Sequence, residues 1–129
     1  MADGPRVDLP RVDLHSHAGR CFLAGLPAGH SAAATLGAAS VADAVRAARA
    51  AGVTALCLSA VADFVVLRPD PATGLRAHRD FRAGEAYADY RRQLAGIREA
   101  VAAAGAEVTT SAADLDRAAG DGRTAVLLG

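Results

Sequence analysis

His15 and His17 stand one residue apart in the stretch RVDLHSHAGR (11–20). Side chains alternate along a strand, so Asp13, His15 and His17 are expected on one side and Val12 and Leu14 on the other. Two neutral imidazoles on one side can grip one divalent cation. Zinc suits imidazole, and an open position on it lets a bound water ionise near neutral pH. Gly19 then turns the chain away and leaves room for a substrate. A His-x-His also occurs as two ordinary polar residues at a strand end. Here an aspartate precedes it, an apolar strand lies behind it and a strand–helix–strand succession follows, and together these favour a metal site.

Other residues offer less. Arg20 could meet a substrate carboxylate bidentately, or be a surface cation. Asp63 follows the second apolar run, where it could hold a ligand in place or contact substrate. His30 and His78 sit in polar loop contexts and read as solvated; Tyr87 and Tyr90 read as packing on a helix face. Cys57, within an apolar run, reads as a small buried hydrophobe. With Cys21 it makes only two cysteines, too few for a disulfide framework and without metal-type spacing. The glycines of 19–37 match no phosphate-cradling motif.

The elements that must position these residues follow from periodicity and punctuation. Residues 11–15 read as a strand, and 18–39 as a glycine-rich loop. Ser40 is expected to cap a helix, with Asp43 three residues on, and Gly52 to end it. Residues 53–61 (VTALCLSAV) read as a strand buried on both faces. Residues 62–83 read as a long connection. A helix over 85–104 carries Tyr87, Tyr90, Leu94, Ile97 and Val101 on one face. A brief extended piece, 107–110, leads to Ser111, whose S-A-A-D pattern predicts a second capping box. Residues 123–128 read as a third buried strand.

This βαβαβ order predicts an α/β fold built on a parallel sheet. Residues 1–10 form a tail and 11–129 the N-terminal part of a (β/α)8 barrel, which needs about 250 residues when complete. In that frame Val12 and Leu14 pack under the helix layer, the histidines look into the barrel mouth, and the last strand is an exposed apolar edge. A longer natural protein is therefore expected. All 14 basic residues are arginines, and they balance 14 acidic ones to a formal net charge of +0. The basic residues are scattered, which argues against a nucleic-acid partner. No stretch is apolar enough for a membrane span or a secretory leader, so a cytoplasmic location is expected.

The segments DLHSHAGR, AGVTALCLSAVAD, GEAYADYRRQL and SAADLDRAAGDGRTAVLLG together resemble the membrane (renal) dipeptidase family of the metal-dependent amidohydrolase superfamily. The resemblance runs from about residue 10 to the last residue. It implies a (β/α)8 barrel with two zinc ions that cleaves small dipeptides by a hydroxide held between the metals. His15 and His17 match that family's first metal-ligand motif, there often His-x-Asp. The bridging glutamate expected beyond an LLG like that at 127–129 lies outside these residues. The resemblance therefore implies half of one metal site and no meaningful peptidase activity for the chain alone. Two other readings share the DLHxH start: a PHP-type phosphoesterase and a TatD-like nuclease. A third is a non-catalytic module that pairs through its strand edges, as a homo-oligomer would.

Overall fold

Strand β2 (Val53–Leu58) is the hub around which the other elements gather. The computed structural model describes residues 11–17, 38–62 and 65–129. Along the chain, β1 (Arg11–Ser16) precedes α1 (Ala38–Ala50) and β2. A hairpin of β3 (Leu67–Asp70) and β4 (Gly74–Ala77) follows. Then come α2 (Glu85–Ala103), β5 (Glu107–Val108), α3 (Ala112–Gly120) and β6 (Ala125–Leu128). Four strands form one parallel sheet in the order β1-β2-β6-β5.

Alternation along the strands sorts the sheet's residues onto two faces. Leu56, Leu58 and Val126 pack with Val41, Val45 and Ala48 of α1 and with Ile97, Ala100 and Val101 of α2. On the other face Ala55 and Ala125 pack against Ala118, with Leu115 and Leu127 at the margin. The topology explains why α3 lies opposite α1 and α2. The step from β1 to β2 and the step from β5 to β6 run in opposite directions across the sheet, so right-handed crossovers put their helices on opposite faces.

Local signals account for several boundaries. The Ser111 side chain accepts the Asp114 N–H, and the Asp114 carboxylate accepts the Ser111 N–H, completing the expected capping box of α3. Gly52 follows α1 with φ of 69°, a left-handed conformation that a residue with a Cβ adopts only at a cost. Ser40, however, does not cap α1. It lies inside the helix, which already includes Ala38 and Ala39, and the Asp43 carboxylate pairs instead with Arg46.

Four further expectations are corrected. The connection over 62–83 contains the β3–β4 hairpin, closed by the Asp70 carboxylate, which accepts the N–H groups of Ala72 (2.8 Å) and Thr73 (2.9 Å). β2 ends at Leu58, short of residue 61; beyond it Ser59 N–H donates to Ser16 O and Ala60 N–H to Gly129 O. On α2 the buried residues are Asp89, Gln93, Ile97, Ala100 and Val101, while Tyr87 is 65% exposed. The face is rotated because Asp89 and Gln93 go inward to satisfy polar groups. Finally, β6 lies between β2 and β5 and is no edge strand, although β5 covers only Ala125 and Val126.

Among the described residues β1 and β5 are the two edge strands of the sheet. Arg11 ties the start of β1 to the α1–β2 turn, donating to Ala51 O at 3.0 Å, and its carbonyl accepts the Thr54 hydroxyl at 3.0 Å. The apolar side chains of β1 stay in solvent, Val12 at 48% and Leu14 at 78%, against the expectation that they pack beneath helices. Val12 is level with Ala55, on the face where α3 packs over Ala55 and Ala125 of β2 and β6, one strand further in.

Candidate metal site

The pairing of β1 with β2 decides where its histidines face. Val12 is opposite Ala55 and Asp13 opposite Leu56, but Ser16 is opposite Leu58, with an irregularity between Asp13 and Ser16. β1 therefore carries one residue more than its partner there, and such a bulge reverses the faces beyond it. The Asp13 carboxylate fastens the bulge by accepting the His15 backbone N–H at 3.1 Å. Asp13 and Ser16 then both lie level with residues of the helix-covered face. His15 and His17, flanking Ser16, face away from α1 and α2. Asp13 thus does not share a side with the histidines, contrary to simple alternation; it shapes the backbone that carries them.

The two imidazoles converge at the C-terminal end of β1. Their Nε2 atoms are 2.9 Å apart, and the rings meet edge to face with centroids 4.4 Å apart. His15 is exposed and His17 half-buried. The Nδ1 of His17 is buried and has no partner among the described residues. Two chemical states suit this geometry. In one, a single proton lies between the nitrogens, one imidazole donating and the other accepting. In the other, both Nε2 lone pairs point at a shared cation. Tetrahedral bonds of about 2.0–2.1 Å would set two nitrogens about 3.4 Å apart, so the observed pair needs to open by only about half an ångström.

Among the described residues no group of three or more His, Cys, Asp or Glu side chains could hold a metal ion. Arg20, His30, Cys21 and Asp63 lie outside the described residues. His78 is exposed, as expected, and its Nδ1 lies 2.6 Å from Val66 O, fastening the exit of the hairpin. Cys57 is half-buried opposite Leu127 rather than fully buried.

Two polar networks near the sheet's C-terminal end escape a reading of the sequence. Gln93 is fully buried; its Nε2 donates to Val61 O (2.8 Å) and Asp89 Oδ2 (2.6 Å), and its Oε1 accepts Val61 N–H (3.3 Å). Arg92 pairs with the other oxygen of Asp89 at 2.5 Å. This clamp fixes the loop that leaves β2 just before Asp63. Further along, Arg79 grips Glu85 bidentately at 2.7 Å through each arm. Those bonds, with the Arg82 N–H, hold the Glu85 carboxyl well below the usual carboxylate range, at about 2. Asp89 with Arg92 and Gln93 has ordinary helical i,i+3 and i,i+4 spacing, but the bonds from Gln93 to Val61 span 32 residues and leave no local mark.

Among the described residues no helix is long and apolar enough to cross a membrane. No protein-family model matches the chain, and no curated protein or solved structure matches it.

Proposed function

We propose that His15 and His17 supply two donors of a zinc site in a dipeptidase-like hydrolase of the metal-dependent amidohydrolase type. In this reading the chain forms the N-terminal part of a (β/α)8 barrel. The observation that carries it is the convergence of the two Nε2 atoms to 2.9 Å at the C-terminal end of a parallel strand. That end of a parallel sheet is where α/β proteins gather their ligands. The layer of α1 and α2 over one face corresponds to a barrel's outer helices; α3 stands outside that scheme, on the face a barrel turns inward.

A zinc ion held there supplies Lewis-acid polarisation of a scissile carbonyl. The chain's own residues do the rest of the positioning. Asp13 holds the bulge that turns both imidazoles to one side. Gln93 and Asp89 hold the loop entering Asp63, which with Arg20 is our choice for contacts to a small dipeptide. Two imidazoles leave coordination positions to be filled by other donors, so turnover by these 129 residues alone is expected to be negligible.

The test is a titration of the metal-free chain with Zn2+, and with Co2+ as an optical probe. One equivalent should bind, and either His15→Ala or His17→Ala should abolish it. Dipeptide and phosphate-ester substrates are then compared on any form that turns over. Cation binding unchanged in the double alanine variant would overturn the proposal, and preferential cleavage of phosphate esters would overturn the dipeptide part of it.

A further inference from the structure

The β3–β4 hairpin sets two arginines directly opposite each other, Arg68 on one strand and Arg76 on the other. The ladder starts one step before the strands, where the His78 N–H donates to Val66 O at 2.9 Å. Main-chain bonds recur at every second pair of an antiparallel ladder. Arg68 and Arg76 are therefore a bonded pair, with Cα atoms about 5.5 Å apart and both side chains leaving one face. Like charges directly opposite destabilise a ladder. Neither guanidinium forms an ion pair among the described residues. Arg68 Nη1 donates to the adjoining Leu67 O at 2.8 Å, and Arg76 is exposed. Asp70 follows on the same face of β3, but its Oδ1 is engaged by the turn N–H groups of Ala72 and Thr73.

We propose that Arg68 and Arg76 form a clamp for an oxyanion, the carboxylate or phosphate group of a small molecule. An anion seated between them turns a repulsion into two charge-assisted contacts, and each guanidinium offers a planar fork that matches two oxygens. A two-stranded hairpin is marginal by itself, but this one is fastened at its base. His78 Nδ1 lies 2.6 Å from Val66 O, and Arg79 donates to Val65 O at 3.3 Å while gripping Glu85 on α2. The arginine at the base is thus matched by a carboxylate, and the opposed pair further out is not. The hairpin lies between the end of β2 and the start of α2, and α2 leads back to a strand parallel to the rest of the sheet. It therefore stands at the C-terminal end of the sheet, the end that carries His15 and His17. The clamp needs no cation and does not rest on the zinc reading.

The test is a titration of the full chain with inorganic phosphate in EDTA, at an ionic strength held constant with sodium chloride and followed by NMR of the arginine Nε–Hε groups. The Arg68 and Arg76 signals should shift saturably, and that of Arg49, exposed at the end of α1, should not. Arg68→Gln or Arg76→Gln should weaken binding about tenfold or more, while Arg49→Gln leaves it unchanged. Arg76 stands in solvent opposite a like charge, so the amide spectrum of Arg76→Gln should show the hairpin intact. Two competitors separate the sources of the anion. Displacement of phosphate by N-acetylglycine but not by N-acetylglycinamide assigns the clamp to a carboxylate; displacement by methyl phosphate alone assigns it to a phosphate ester. Shifts that do not saturate, that are equal at Arg49, or that persist in Arg76→Gln would overturn the proposal.

Discussion

Gln93 on α2 holds both backbone groups of Val61, donating to its carbonyl at 2.8 Å and accepting its N–H at 3.3 Å. A glutamine amide carries a donor and an acceptor side by side, and so replaces the strand partner that the chain loses on leaving β2. Gln93 is fully buried and also donates to Asp89, so removing it strands three polar groups. Gln93→Leu, close in volume, should therefore cost about 2–4 kcal/mol in urea unfolding at neutral pH. Gln93→Glu places a second carboxylate where Nε2 now meets Asp89; its deficit should shrink as the pH falls and one of the two takes up a proton.

Cation binding at His15 and His17 should appear in stability as well as in titration. A ligand that binds the folded chain alone raises its unfolding free energy by about 2.7 kcal/mol at a hundredfold excess over its dissociation constant. Thermal unfolding should shift upward with Zn2+ and return on adding EDTA. In His17→Ala the metal-free midpoint should change little, because the pair makes one exposed contact, while the zinc-dependent shift should vanish. A shift of equal size in that variant would place the cation elsewhere.

What was legible in the sequence depended on the range over which each interaction acts. Ser111 and Asp114 cap a helix within four residues, and Gly52 stops one locally, so both were readable. The Asp70 turn was equally local, its D-P-A-T-G stretch being a turn signal, but the strands it joins are four residues each, too short for alternation to register. The Gln93–Val61 clamp spans 32 residues and has no local mark. His15 and His17 stood out by type and spacing. Their separation from Asp13 did not, because a bulge belongs to the pairing of two strands and not to either one. The place of β5 beside β6 rests on a two-residue strand, and with it the placing of α3 on the opposite face.

Ser111→Ala removes one half of the α3 capping box. Its hydroxyl accepts the Asp114 N–H at 3.2 Å, and no other side chain accepts that N–H. The expected loss is about 1 kcal/mol, as for other N-caps. Ser111→Asp should retain most of the stability, since a carboxylate also accepts that bond and suits the helix N-terminus. Equal losses in both variants would show that the hydroxyl contributes through something other than capping.

Two half-buried carboxyls should set the acid limb of stability. Glu85 is held at about 2 by Arg79 and then the Arg82 N–H, from an ordinary value of 4.5. Asp114 is held at about 2 by the Thr110 N–H, then the Ser111 group and Arg117, from 3.8. A carboxyl whose folded value lies below its unfolded one stabilises the fold above the unfolded value and loses that contribution as the pH falls through the window beneath it. The wild-type chain should therefore lose stability between pH 4.5 and about 2, followed as the urea midpoint. Glu85→Gln and Asp114→Asn should each be less stable at neutral pH, and their curves should converge on the wild type near the lower end of that window. Added salt should reduce the Arg79-dependent part, since both partners lie near solvent. A variant curve running parallel to the wild type through the whole window would show that the substituted carboxyl is not held down in the folded state.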